Sequence, residues 1–142
     1  MEDHFRKLEN MYLAAPVNDH FAPELKISNG SSILTMEVNP RFFHAANALH
    51  GSVYFKALDD SAFFAVSSLV REFFVVTVSF NVFLLRPVTK GTLRCEGTVT
   101  SSSKNLFIAE SVLYLDGGNQ VARGSGSFMV SRTRLSDVES YR

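Results

Sequence analysis

The sequence predicts an α+β domain: a strand hairpin, one long apolar helix, then four antiparallel strands in a curved sheet wrapped around that helix. Three observations predict it. Gly51 to Val70 is apolar nearly all round at helical spacing. Val76, Val78, Phe80, Val82 and Leu84 alternate with Thr77, Ser79, Asn81 and Phe83, the period of a strand. Glycine, asparagine and proline turn signals then cut the remainder into strand-sized pieces.

In chain order, Phe5, Leu8, Met11 and Tyr12 give Asp3 to Ala14 an apolar helical face, and Pro16 closes it, so residues 1–15 form an N-terminal helix. Phe21 to Pro23 reads as a loop into a strand at Leu25-Lys26-Ile27. Asn29-Gly30 turns that strand into a second, Ser32 to Val38, which Asn39-Pro40 ends. In the central helix, residues 51–70, one face holds Leu58, Ser61, Ala62, Ala65, Val66 and Leu69, with Tyr54 and Phe55 continuing it upstream. Phe63 and Phe64 fall elsewhere on the wheel, so the helix is buried; it would run roughly 30 Å. The main strands occupy residues 75–131. Arg86-Pro87 stops the first; Thr92 to Ser101 and Leu106 to Leu115 follow, and the Asp116-Gly117-Gly118-Asn119 turn leads into Gln120 to Val130. No repeat or linker divides residues 1–142, which therefore read as one domain.

Composition excludes several classes. Fourteen basic and fourteen acidic residues cancel, so charge asks for neither nucleic acid nor an anionic membrane. The least charged stretch, Phe42 to Leu58, holds His44, Asn47, His50 and Lys56 and is no membrane span. Glu2, Asp3, His4, Arg6 and Lys7 do not fit a signal peptide, and a lone Cys95 permits no internal disulfide, so a reduced, cytoplasmic setting is expected. Thirteen phenylalanines with no tryptophan are left to fill a core, a pocket or an interface.

Two carboxylates interrupt the apolar helix, Asp59 and Asp60. Burying a carboxylate is unfavourable unless it is paired or hydrogen-bonded. On the wheel Asp59 lies about 100° from Leu58, bordering the packed side, while Asp60 points away, toward solvent or a partner subunit. The bland reading of such a pair is a solvated face. His50-Gly51 stands where the loop enters the helix, and a helix start offers free N–H groups and a positive dipole end. Gly51 lets a substrate approach that backbone. A carbonyl held there, with a carboxylate two turns along, has the parts for attack by water or by the carboxylate itself. Cys95 reads as a buried strand residue, and Gly124-Ser125-Gly126 as a bulge or a close backbone approach. No nucleophile elbow or phosphate loop is present. His44, His50 and Asp59 match no metal-ligand spacing, so no metal is expected.

These residues resemble the hotdog-fold acyl-CoA thioesterases, in the branch typified by the phenylacetate-degradation thioesterase. That branch carries His-Gly-Gly and, nine residues after the histidine, an aspartate on the central helix; here His50-Gly51-Ser52 precedes Asp59 at that separation. Thr77 matches a short hydroxylated residue opening the next strand, and the run Val78 to Pro87 looks like that strand's end. Gly91, Lys104-Asn105-Leu106, Asp116-Gly117 and Val121-Ala122 follow in order, so the resemblance spans about Ile33 to Ser131.

The resemblance implies a hotdog fold and roles for named residues. Asp59 would be general base or nucleophile, Gly51 N–H would polarise the thioester carbonyl, His50 would support that loop, and Thr77 would position the water or the aspartate. It implies a homodimer with shared sites, Asp59 and Thr77 of one chain facing His50 and Gly51 of the other, and a tetramer by pairing of dimers. No cofactor is implied beyond the coenzyme A of the substrate. Two positions depart: His44 stands where the family has an asparagine, so either His44 takes over that hydrogen bond or Asn47 reaches the site, and Ser52 replaces the second glycine. Arg86 and Lys104 are candidates for the phosphates of coenzyme A, against solvated surface roles. Phe42, Phe43, Phe55, Phe63, Phe64 and Phe83 are candidates for an acyl pocket, against core packing. The competing readings are a non-catalytic acyl-CoA-binding module, which His44 and Ser52 favour, and a hotdog hydratase acting on an enoyl or β-hydroxyacyl chain.

Overall fold

The computed structural model describes residues 2–142. Its elements are α1 (Glu2–Ala14), α2 (Asn18–Phe21), β1 (Glu24–Ser28), β2 (Ser31–Glu37), α3 (Gly51–Ser67), β3 (Phe73–Leu84), β4 (Thr92–Ser102), β5 (Leu106–Leu115) and β6 (Asn119–Arg134). Short 3-10 turns at Pro40–Phe42 and Leu135–Asp137 complete it. The six strands form one antiparallel sheet in the order β1-β2-β4-β5-β6-β3. This is the hotdog arrangement, a sheet curled round α3.

The helix is held by small residues and hydroxyls as well as by apolar burial. Ala57, Leu58, Ala62, Ala65 and Val66 are fully buried. A Cβ on Gly97 of β4 would sit 2.2 Å from the Ser61 carbonyl oxygen, so only glycine lets the helix backbone lie this close. Ser32 Oγ donates to the Ser61 carbonyl at 2.6 Å, and Ser111 Oγ donates to the Leu58 carbonyl at 2.8 Å. These two bonds from the sheet fix the rotation of α3 about its axis, and with it the direction of Asp59.

The expected strands and their turns are present, with four differences. Helix α3 ends at Ser67 rather than residue 70. There Leu69 N–H turns back to the Val66 carbonyl and Val70 N–H to Ser67, a tightened last turn. His4 Nε2 also reaches the Ser67 carbonyl, at 2.9 Å. The stretch expected as a loop before β1 opens with the short α2, ended by Ala22 in the left-handed region at φ 48°. Strand β6 runs on to Arg134 and pairs there with Phe73 at the start of β3.

The largest difference lies in β3. Simple alternation puts Thr77 with Ser79 and Asn81, opposite Phe80 and Val82. The pairing with β6 instead slips between Thr77 and Ser79, a bulge that leaves Val78 unpaired. Thr77 lies opposite the buried Phe128, and Phe80 opposite Gly126, so both turn toward the helix. Val76 and Val78 stay exposed. The Phe80 ring lies against Gly124 and Gly126, which accounts for glycine in the middle of that strand. No helix among the described residues is long and apolar enough to cross a membrane.

Candidate active site

Asp59 projects from the third turn of α3 toward the concave side of β3. The bulge brings Thr77 inward, and Thr77 Oγ1 donates to Asp59 Oδ1 at 2.9 Å. A cavity of about 250 Å³ opens beside the pair, lined by Tyr12, Phe63, Phe64 and Phe74 and by Met11 and Val17. Burial pushes the Asp59 carboxyl up to about 6 from its ordinary 3.8. The neighbouring Asp60 adds to the rise, while the Thr77 hydrogen bond and Lys56 oppose it. A carboxyl poised near 6 beside an apolar cavity is ionised at neutral pH yet still able to take a proton.

Asp60 departs from the wheel's expectation. It is neither solvated nor free for a partner: Tyr12 Oη donates to its Oδ2 at 2.5 Å and Lys56 Nζ at 2.8 Å. Helix α1, packed across the end of α3, supplies the tyrosine and draws the carboxylate away from solvent. The bland reading therefore fits neither acid, and the two differ in partner: Asp60 is tied to a cation, Asp59 only to a hydroxyl.

Nine residues upstream of Asp59, His50 caps α3. Its backbone is extended at φ −65° and ψ 143°, and its Nδ1 accepts the Ser52 N–H at 3.0 Å. That cap satisfies Ser52 and leaves Gly51 N–H, the first of the helix, without an acceptor among the described residues. Gly51 faces a second cavity, about 280 Å³, with His44, Leu49, Tyr54, Leu84 and Arg86 around it. A Cβ on Gly51 would meet Leu84 Cδ1 at 3.3 Å, so glycine keeps this cavity open. A free N–H at the positive end of a seventeen-residue helix, facing a cavity, is a donor for a carbonyl oxygen that gains charge.

The structure sorts the remaining candidates. His44, not Asn47, lines the Gly51 cavity. Asn47 sits exposed at the tip of the preceding turn, in the left-handed region at φ 65°, where asparagine is tolerated. His50 and Ser52 border a third cavity with His20 and Arg41, apart from the one that Gly51 lines. Arg86 borders the Gly51 cavity, and Phe63 the Asp59 cavity. Phe42 and Phe43 border the third cavity, and Phe64 walls the Asp59 cavity. Phe55 stacks edge-on with Phe80 and lines none of these three cavities; Phe83 lies on the outer face of β3 opposite Arg123, 62 % exposed. Lys104 lies in the β4–β5 turn, away from all three cavities. Tyr12, Lys56 and Phe74 are the residues that sequence reasoning missed here; α2, the whole β1–β2 hairpin and the first half of α3 separate Tyr12 from Asp59, and no local spacing marks it.

One geometric fact governs what a single chain can do. Gly51 and Asp59 are eight residues apart on one helix, about 12 Å at 1.5 Å per residue. No thioester carbonyl reaches the donor of one and the carboxylate of the other in the same chain. The expectation that a carboxylate two turns along completes the site is corrected to this extent: within a chain the two halves open into different cavities. Strand β3, which carries Thr77, lies at the sheet's edge, and Val78, Phe83, Leu84 and Leu85 on and beside it are exposed. Among the described residues no group of three or more His, Cys, Asp or Glu is placed to hold a metal.

Residues 46–122, from the turn before α3 through the first part of β6, match the thioesterase superfamily model. A provisionally named esterase of Saccharolobus solfataricus is 28 % identical over 114 residues, which cover 80 % of this chain and 76 % of that one. Among solved structures, the PaaI protein of E. coli, from the phenylacetic acid degradation operon, superposes with a TM-score of 0.84 at 17 % identity, covering 94 % of this chain and 96 % of that one. A thioesterase family protein from Silicibacter pomeroyi superposes at 0.81 with 22 % identity, covering 89 % and 98 %. At these identities the superpositions show a shared fold.

Proposed function

The chain belongs to the thioesterase superfamily, and from that premise we propose that it hydrolyses an acyl-CoA or acyl-carrier thioester to a free acid and a thiol. The observation that carries this reading is Asp59: a partly buried carboxylate, held only by the Thr77 hydroxyl, its pKa raised to about 6, at the mouth of an aromatic cavity. The thioester carbonyl oxygen accepts the Gly51 N–H, which withdraws charge from the carbonyl carbon. Asp59 then removes a proton from water as its oxygen adds to that carbon, or adds to the carbon itself; both routes need the ionised carboxylate. The tetrahedral centre collapses, the C–S bond breaks, and the thiolate leaves to take a proton; when Asp59 itself has attacked, the acyl group remains on it as an anhydride, which a water then opens to release the acid and restore the carboxylate. Thr77 aims the carboxylate, and His44 stands where it can contact the carbonyl or the water from the Gly51 side.

Because Gly51 and Asp59 of one chain are about 12 Å apart, the reading requires two chains. Each site joins Asp59 and Thr77 of one chain to Gly51, His44 and Arg86 of the other, through pairing at the exposed β3 edge. Arg86 is the cation nearest the carbonyl side and suits the phosphates of the carrier. No cofactor is needed beyond the coenzyme A that the substrate brings. A panel of acyl-CoAs assayed with a thiol-trapping dye, on wild type and Asp59→Asn together, tests it. Wild type releases thiol from at least one substrate and the variant loses this by a factor of about 10² or more. Acyl-CoA binding with no turnover across the panel would select a non-catalytic binding module instead.

A further inference from the structure

The cavity beside Asp59 has a wall held in place from three directions. Tyr12 is 5 % exposed, and its hydroxyl donates to Asp60 Oδ2 at 2.5 Å. Its ring meets Phe64 edge-on at 5.0 Å, and Lys56 Nζ stands 5.4 Å above the ring centroid. Its carbonyl accepts the Asn18 Nδ2–H at 2.7 Å from α2, the helix that folds back across the same cavity. Side chain, ring face and backbone are thus each tied to a different neighbour. Burial and the Asp60 charge both hold the phenol in its protonated, donating form. A wall with this many constraints does not swing aside at little cost.

The cavity beside Asp59 is open on one side, and its walled part measures about 250 Å³. Against a closed cavity of about 150 Å³ that takes a benzene ring, that is room for about ten carbon atoms before Tyr12 is met. Resting on the thioesterase reading, we propose that Tyr12 is the specificity-determining floor of the acyl pocket, pinned by Asp60, Lys56 and Asn18, and that it admits compact acyl groups and excludes long fatty chains. Asp60, which the chemistry does not use, acquires a role as the tether of that floor. The terminal α1–α2 segment thereby sets substrate size for a reaction carried out on α3 and β3.

The test compares chain length in turnover and in binding. Hydrolysis of acyl-CoAs from two to sixteen carbons, and calorimetric binding of the matching non-hydrolysable S-alkyl-CoA thioethers, are measured for wild type, Tyr12→Ala and Tyr12→Phe. Wild type falls at least tenfold between eight and sixteen carbons in both series. Tyr12→Ala recovers at least tenfold of that loss for the sixteen-carbon member, and Tyr12→Phe, which keeps the ring but loses the Asp60 bond, recovers part of it. If Tyr12→Ala does not fold, Tyr12→Leu carries the same expectation with the apolar packing retained. An unchanged chain-length profile in the folded variant, or a wild type that favours sixteen carbons, overturns the proposal. Thioether binding reads the floor even in a protein that releases no thiol, so failure of the hydrolase reading and failure of the floor are told apart.

Discussion

At the scale of single residues, two adjacent aspartates behave differently because their partners differ. Asp60 finds Lys56 one turn earlier and Tyr12 from α1, a charge-assisted pair of bonds. Asp59 has only the Thr77 hydroxyl, and burial dominates, so its carboxyl rises to about 6. The wheel separated the two in the sequence, since the packed border and the outer face are a local property of the helix. Asp60's partner was not legible, because Tyr12 is brought by tertiary packing that no spacing encodes. The pKa has a consequence for stability. Its folded value exceeds the unfolded one, so the group favours the fold fully only below about pH 4, and that contribution fades as pH rises through 6. At pH 8 the buried charge costs about 1 kcal/mol after allowing for its partial exposure. Asp59→Asn, which cannot charge, is therefore expected to melt roughly 3 °C above wild type at pH 8 and level with it at pH 4, by scanning calorimetry. In activity the sign reverses. The carboxylate is the working form, so kcat/KM for thioester hydrolysis rises with pH along an acid limb centred near 6; a limb centred near 4 would assign the base elsewhere.

At the scale of elements, two local structures make the site, and they were unequally legible. The start of α3 was readable, since His50-Gly51 before an apolar helix is a cap followed by a residue without a side chain. Gly51 is the first helical position and His50 is already extended, the two conditions under which proline fits a helix start. Gly51→Pro therefore keeps the helix while deleting the free N–H, but its ring also presses on Leu84, so Gly51→Ala, which adds the Cβ and keeps the N–H, is measured beside it. For Gly51→Pro we expect near-wild-type circular dichroism and kcat lower by about 10²–10³, the usual effect of losing one such donor; full activity would remove Gly51 from the reaction. Strand β3 was the harder case. Its clean alternation, Val76 to Leu84, described two regular faces, and a single extra residue at Val78 reassigns Thr77 to the inner one. No composition signal marks that bulge; the glycines opposite, Gly124 and Gly126, which seat the Phe80 ring, are its nearest trace in the sequence.

At the scale of the molecule, the hotdog architecture was legible because it follows from coarse features: one all-round apolar helix, strand periods and turn residues. The cavities were not, since Phe63 and Phe64 line the Asp59 cavity while Phe83 and Phe55 do not, a choice made by curvature and register rather than by residue type. The same curvature places the two ends of α3 in different cavities. About 12 Å of helix separates Gly51 from Asp59, and on the proposed reading the open β3 edge is where a second chain would bring the other half. The measurement that tests this most directly is complementation between two inactive variants, Asp59→Asn and Gly51→Pro, refolded together from denaturant. If each site joins Asp59 of one chain to Gly51 of the other, half of the mixed dimers are heterodimers with one intact site, and thiol release returns to about one quarter of wild type. A mixture as inactive as its separate components, in dimers shown to have exchanged chains, would contradict the shared site and the account built on it.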